Sequence, residues 1–255
     1  MSFTEAILAG IIQGLTEFLP VSSSGHLVLL HSIFGFSSTN VFFDIFLHLA
    51  TVFAVIFFLK TEILELLRKG EYAWLLYLVA ATIPAVIAGL MFGEFIEGLF
   101  QNPGTVAYLL LFTGVLLMLG HIKLKKHAEE KKLTLKSALV MGFFQMIALL
   151  PGISRSGGTV TAGILAGLKK EDAYKFSFLM AIPVILGTVV FKIVSSGGAT
   201  FAFGEILTYA AGMISAFFVG FLSLKIFWLV IKREKLIFFS IYCFAVGGVV
   251  LLFWR

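Results

Sequence analysis

GIIQGLTEFLPVSSSG, Gly10 to Gly25, returns as GFFQMIALLPGISRSG, Gly142 to Gly157, and the reading of these two stretches decides the fold. Aligned without gaps they match Gly10 to Gly142, Gln13 to Gln145, Ser22 to Ser154, Ser24 to Ser156 and Gly25 to Gly157. The offset is close to half of the 255 residues, so the chain reads as one integral membrane domain, 1–255, made of two related halves, about 1–127 and 128–255. The shared positions are polar or glycine, while their surroundings are apolar. Interrupted apolar segments in corresponding places of two repeats point to a binding site inside a membrane protein.

Composition identifies the solvent. The chain is 60% hydrophobic and 13% charged, with 29 Phe residues and a mean hydropathy of +1.05, which a water-soluble core of this length does not require. The single Cys243 excludes an internal disulfide and a cysteine-based zinc cluster. The first basic residue is Lys60, so the N-terminus lacks the basic region of a secretory signal and is expected to belong to the mature fold. No phosphate-binding Walker loop and no nucleic-acid patch is present.

Six stretches are long and apolar enough to cross a bilayer: 41–59, 73–95, 105–122, 176–194, 206–231 and 236–254. Pro84 and Pro183 fall inside two of them and are expected to kink them. The repeated segments, near 6–30 and 138–166, are also apolar but are broken by Pro20–Gly25 and by Pro151–Gly158. Broken backbone at membrane depth survives only where protein or a wet cavity satisfies it, so both are read as re-entrant helix–loop–helix elements.

Basic residues orient the layout. Lys60, Arg68 and Lys69 follow the first span, and Lys123, Lys125, Lys126, Lys131, Lys132 and Lys136 follow the third. Lys169, Lys170 and Lys175 follow the second broken segment; Lys225, Lys232, Arg233 and Lys235 lie around the end of the fifth span. Residues 1–59, 96–104 and 195–205 contain neither Lys nor Arg. With basic loops on the cytoplasmic side, the second broken segment enters and leaves from the cytoplasm and the first from outside, with the N-terminus outside. The expected fold is therefore an all-α polytopic membrane protein, six transmembrane helices plus two re-entrant elements in an inverted-topology repeat. Eight complete spans are the alternative, at the cost of placing one basic cluster outside.

The tips carry the chemistry. Gln13 and Glu17, four apart, share a helix face, and Pro20 stops that helix. Ser22, Ser23 and Ser24 then precede Gly25, His26 and an apolar run, the pattern of an N-cap. Helix N-termini present unbonded N–H groups and positive partial charge, which suits phosphate. Glu17 and His26 are ionisable groups within an apolar segment, and such groups are functional candidates by default. In the second copy Arg155 takes the place of Ser23, and Gly152, Gly157 and Gly158 let backbone approach a ligand. Ser154, Ser156, Thr159 and Thr161 add donors there. A buried guanidinium calls for an anion, a phosphate or carboxylate held by its fork; an Arg155–Glu17 ion pair that locks the fold is the other reading. Asp44 and His48 form a further i, i+4 pair, read as supporting rather than reacting groups, and Glu94 and Glu97 receive no role.

These motifs resemble those of the bacterial undecaprenyl-diphosphatase, or bacitracin-resistance, family. The resemblance is carried by Gln13-x-x-x-Glu17 with the FLPVSSSGH run ending at His26, by Pro151–Thr159, and by FDIFLHLAT (Phe43–Thr51) and KFSFLMAIP (Lys175–Pro183). It covers nearly the whole chain. Gln13 departs from the Glu also found there, leaving Glu17 as the single acid of the pair. The resemblance implies hydrolysis of undecaprenyl diphosphate to undecaprenyl phosphate and inorganic phosphate in the bacterial inner membrane, with the site open to the extracytoplasmic side. It implies Glu17, Ser23, His26 and Arg155 as reacting groups, Ser23 being a candidate nucleophile with His26 or Glu17 taking its proton. Gln13, Ser22, Ser24, Gly25, Ser154, Ser156, Gly157, Gly158 and Thr159 would bind the head group. A divalent cation, Mg²⁺ or Ca²⁺, on Glu17 would offer a metal-activated water instead of covalent attack. The expected partners are a polyprenyl diphosphate and membrane lipids, with monomer and homodimer both open. A transporter or flippase for a polyprenyl phosphate or another anionic lipid is the rival, because broken helices in inverted repeats are also transporter architecture.

Overall fold

The computed structural model describes residues 1–34, 41–126, 130–195 and 205–253. Among them every extended regular element is a helix: α1 Phe3–Phe18, α2 Ser23–Phe34, α3 Val41–Phe58, α4 Lys60–Lys69, α5 Tyr72–Leu99, α6 Pro103–Lys125, α7 Leu135–Ile147, α8 Arg155–Leu165, α9 Lys170–Ser195, α10 Ile206–Lys232 and α11 Ile237–Phe253. Among the described residues, α5, α6, α9 and α10 are each long and apolar enough to cross a membrane, and α3 with α4 makes a fifth candidate if the pair, bent by 63°, counts as one span. The 17 residues of α11 are apolar and reach about 26 Å at about 1.5 Å per residue. The chain is thus a multi-pass, all-helical membrane protein, and each repeated segment is two helices with a break where the proline-containing run predicted it.

Two local outcomes differ from the sequence reading. The basic stretch after the first span is the amphipathic helix α4 rather than a loop. Its Glu65 pairs with Lys69 one turn on, Ile63 and Leu66 pack against the core, and Gly70 ends it at φ 65° in the left-handed conformation that favours glycine. In α5 the non-helical residue is Phe92, at φ −122° and ψ 15°, two turns beyond Pro84.

The span α5 buries a narrow stripe and leaves the rest to lipid. Along α5 the buried residues are Ala81, Ala85 and Ala88, one small-residue stripe, while Leu76, Val79, Ile83, Val86 and Leu90 are exposed. Such stripes allow close helix approach where no hydrophobic force sorts lipid from protein. The main core packs Phe18 of α1 against Phe178 of α9 edge to face, with Tyr174 and Phe227 beside them.

Helix partners repeat between the halves. The first motif helix, α1, packs on α10, and its counterpart α7 packs on α5; α3 also packs on α10, and α9 on α5; α6 pairs with α11 and α3 with α9. The matched glycines explain the closeness of the first two contacts. A Cβ at Gly10 would overlap the carbonyl oxygen of Gly212, and one at Gly142 that of Ala81. Gly10→Ala and Gly142→Ala are each expected to cost about 1–3 kcal/mol through overpacking, measured as a lower Tm of the detergent-solubilised protein. Gly89→Ala, where a Cβ meets open space, should leave Tm unchanged or raise it.

Candidate active site

The tip between α1 and α2 is built around Ser22. Its φ of 69° is rare for a residue with a side chain, and such strain persists only where surroundings fix it. Here they do. The Ser22 hydroxyl oxygen accepts N–H bonds from Gly25 and, across to the other tip, from Gly152, both at 3.2 Å. The Ser22 carbonyl accepts the His26 backbone N–H at 3.2 Å and faces His26 Nδ1 at 2.8 Å. Ser22 therefore caps α2, and Ser23 and Ser24 form its first turn, with N–H groups ahead of the first intrahelical bond.

The tip between α7 and α8 is assembled the same way. Gly152 at φ 105° turns the chain, and Thr113 of α6 clamps it, donating to the Gly152 carbonyl at 2.9 Å and accepting from Ser154 N–H at 3.1 Å. Ser154 caps α8 by accepting from Gly157 N–H at 3.1 Å. The hydroxyls of Ser154 and Ser156 lie 3.3 Å apart and those of Ser22 and Ser24 3.2 Å apart, so the matched serines do the same work in both copies. The tips touch. A Cβ on Gly25 would sit 3.2 Å from Gly152 Cα, one on Gly157 2.8 Å from Pro20 Cβ, and Ser156 Oγ donates to the Leu19 carbonyl at 3.3 Å. Two helix N-termini are thereby brought together, and positive potential from both converges on one place.

Glu17 is the hub. It is buried on the last turn of α1, with Arg155 Nη2 on Oε1 at 2.5 Å. Ser23 Oγ donates to Oε2 at 2.8 Å and Gln13 Nε2 to the same oxygen at 3.1 Å. Arg155 keeps a second donor, Nη1, buried and, among the described residues, without a hydrogen-bond partner; Gln13 Oε1 is likewise buried and unpartnered. A buried donor left unpaired is costly, so Nη1 is a group waiting for an acceptor. The ion pair and the anion site are therefore compatible: one arm of the fork holds Glu17 and the other is available. Gly158 is buried, yet a Cβ there would meet open space, leaving room beside the first turn of α8.

The structure gathers Gln13, Glu17, Ser22, Ser23, Ser24, Gly25, Ser154, Arg155, Ser156 and Gly157 at these tips. Thr159 Oγ1 turns back to the Arg155 carbonyl at 2.7 Å and to Ser177 of α9 at 2.6 Å, holding α8 in place. Thr161 lies against Gly120 of α6 instead. His26 takes part differently from expectation. Its Nδ1 faces the Ser22 carbonyl and its Nε2 lies 2.7 Å from Tyr242 Oη on α11, with the rings stacked at 10°; these bonds do not run to Ser23 or Glu17. Tyr242 and Thr113 escaped the sequence reading, since a lone Tyr or Thr within an apolar span carries no spacing signal. His48, a supporting group in the sequence reading, places its Nε2 4.0 Å from Glu17 Oε2.

Among the described residues no three His, Cys, Asp or Glu side chains converge as a metal cage. Glu17, Ser23 and Gln13, joined by the Ser23–Glu17 and Gln13–Glu17 hydrogen bonds, are the residues there whose oxygens are of the kind Mg²⁺ and Ca²⁺ take.

The family described as bacitracin resistance protein BacA matches residues 6–249 of the chain. The undecaprenyl-diphosphatase 1 of Shouchella clausii is 37% identical over 269 residues, covering 99% of this chain and 97% of its own. The undecaprenyl-diphosphatase of Methanococcus maripaludis strain C7 is 41% identical over 256 residues, with 98% and 99% covered. That of Carboxydothermus hydrogenoformans is 36% identical over 254 residues, with 99% and 97% covered.

Proposed function

Because the chain belongs to the bacitracin resistance protein BacA family, we propose that it hydrolyses undecaprenyl diphosphate to undecaprenyl phosphate and inorganic phosphate. That reaction returns the lipid carrier to cell-wall polymer synthesis, and the family's name implies bacitracin resistance. The observation that carries the reading is the buried, unpartnered Nη1 of Arg155 beside two converging helix N-termini. This arrangement suits a diphosphate: the guanidinium and the first-turn N–H groups of α2 and α8 meet charge that develops on the phosphoryl oxygens. The isoprenoid tail remains among the exposed apolar side chains of the spans.

Ser23 is the nucleophile in this reading, since its hydroxyl already donates to a buried carboxylate. Its oxygen attacks the terminal phosphorus, the bond to the bridging oxygen breaks, and that electron pair leaves with undecaprenyl phosphate. Water then cleaves the phosphoseryl bond. Glu17, Gln13 and Ser23 are the residues proposed to hold a divalent cation together with the diphosphate, and such an ion would neutralise phosphate charge.

The finer architecture belongs to the same proposal. Six spans and two re-entrant elements, inverted between halves, would account for the repeated helix pairings and for tips that meet. The absence of Lys and Arg from residues 1–59 supports an outer position for the N-terminus and the site opening.

The test is phosphate release from undecaprenyl diphosphate by purified protein in detergent, where no gradient exists. Stoichiometric release is expected, falling at least about tenfold with a chelator and returning with added Mg²⁺ or Ca²⁺. No release in detergent, combined with movement of the lipid between leaflets in proteoliposomes, would favour the transporter.

A further inference from the structure

We propose that Tyr242 is a positioning residue of this site. Through His26 it fixes the peptide between Ser22 and Ser23, so that the Ser23 N–H meets the phosphoryl oxygens. The inference rests on the hydrolase reading and names what sets one of its donors. His26 Nδ1 lies 2.8 Å from the Ser22 carbonyl. A carbonyl only accepts, so Nδ1 carries the proton, and Nε2 of the neutral ring accepts from the Tyr242 hydroxyl 2.7 Å away. The same carbonyl also receives the His26 backbone N–H at 3.2 Å. One carbonyl thus takes two bonds from one residue, and a hydroxyl on a distant helix sets the ring that makes one of them.

The other end of that peptide is the Ser23 N–H. Among the described residues no peptide is cis, and a planar trans peptide points its C=O and N–H in opposite directions. The Ser22 carbonyl runs along α2 towards His26, so the Ser23 N–H leaves α2 at its N-terminus. That is the end where Ser22 Oγ meets Gly152 N–H of the second tip. Among the described residues the Ser23 N–H makes no hydrogen bond, while the hydroxyl of the same residue donates to Glu17. Such a donor stabilises developing phosphoryl charge only if it is held in place beforehand. At Ser22 the backbone sits in a sparsely populated region, φ 69°. Turning the Ser22–Ser23 peptide over would present the carbonyl, an acceptor, to the phosphate. His26 and Tyr242 oppose that turn, and donation to the carbonyl polarises the peptide and strengthens its N–H as a donor.

The surroundings fix Tyr242 independently of its hydroxyl. Its ring, 41% exposed on an apolar helix, stacks on His26 at 10° with centroids 5.7 Å apart. The same turn of α11 grips the chain ahead of the first tip. Cys243 Sγ donates to the Pro20 carbonyl at 3.6 Å, and Ser240 Oγ to the Gly114 carbonyl of α6 at 2.7 Å. Since α6 also clamps the second tip through Thr113, the α6–α11 pair holds both tips. Tyr242 is the member of that pair whose hydroxyl ends on the His26 ring.

The experiment measures phosphate release from undecaprenyl diphosphate in detergent. It compares wild type, Tyr242→Phe, His26→Gln, His26→Leu and the double variant Tyr242→Phe with His26→Leu, each checked for monodisperse elution. Tyr242→Phe keeps the ring and its packing. Its kcat should fall about tenfold with KM within about twofold, because the donor it sets meets charge that develops in the transition state. His26→Leu should lower kcat by about 10²-fold, the scale of losing one such donor. His26→Gln, whose amide can still donate to the Ser22 carbonyl, should be about tenfold faster than His26→Leu. Tyr242→Phe should have no further effect in the His26→Leu background. A wild-type kcat in Tyr242→Phe, a His26→Gln as slow as His26→Leu, or additive losses in the double variant each overturns the proposal. A readout apart from turnover is the backbone ¹⁵N–¹H signal of Ser23 in serine-labelled protein, titrated with inorganic phosphate. It should shift in wild type and shift markedly less in Tyr242→Phe; equal shifts, or none in either, overturn the coupling. If wild type releases no phosphate, the hydrolase reading fails alone, and the Ser23 signal decides whether Tyr242 sets its amide.

Discussion

Arg155→Ala should lower phosphate release from undecaprenyl diphosphate by about 10³-fold, the scale expected when a preorganised phosphoryl-binding cation is removed. It should also destabilise the fold, because Glu17 loses its charge partner while remaining buried. Breaking one side of a buried pair typically costs about 3–5 kcal/mol, so Tm should drop clearly in the same preparation. The two effects separate in the double variant Arg155→Ala with Glu17→Gln. Removing the stranded charge should recover most of the Tm, while activity stays lost because the anion has no guanidinium to meet. Arg155→Lys is expected to keep much of the Tm but little of the rate. One ammonium cannot hold Glu17 through one arm and offer a second fixed donor, as Nη2 and Nη1 do here. Wild-type turnover in Arg155→Ala would remove the basis of the site assignment.

Much of this arrangement was legible in the sequence, because polar and conformationally special residues stand out against an apolar background. Pro20, the serine run and Gly152 to Gly158 marked the breaks, and the structure ends α1 at Phe18, begins α2 at Ser23 and begins α8 at Arg155. What periodicity could not supply was partnership between helices. In a membrane protein an apolar residue faces lipid or protein with equal ease, so Ala81, Ala85 and Ala88 carry no label naming α7 as their neighbour. His48 was visible only as a partner of Asp44; its approach to Glu17 depends on how α1 sits beside α3, and local sequence is silent on that. Tyr242, 216 positions from His26, is further still from any local signal. The helix α4 is masked in the sequence by its charges, which carry the signature of a basic loop, while Ile63 and Leu66 pack against the core.

Ser23→Ala should give the opposite signature to Arg155→Ala: activity lost, stability kept. Ser23 is only half-buried and contributes one hydrogen bond to Glu17, while Gln13 and Arg155 continue to hold the carboxylate. A loss of about 0.5–1.5 kcal/mol is the expected scale for that bond, too small to unfold the protein. Turnover, by contrast, should fall by about 10³-fold or more if the attacking oxygen is gone. The wild type supplies the complementary evidence. In a single turnover, undecaprenyl phosphate should appear before inorganic phosphate, and an acid quench in that interval should leave a phosphoryl group on the peptide containing Ser23. Slowing the second half should increase its yield. If Ser23→Ala turns over at the wild-type rate and no phosphorylated peptide accumulates, water attacks phosphorus directly. The oxygen set of Glu17 and Gln13 would then serve to place that water, and Ser23 would be left as the first residue of α2, one N–H among those that cradle the phosphate.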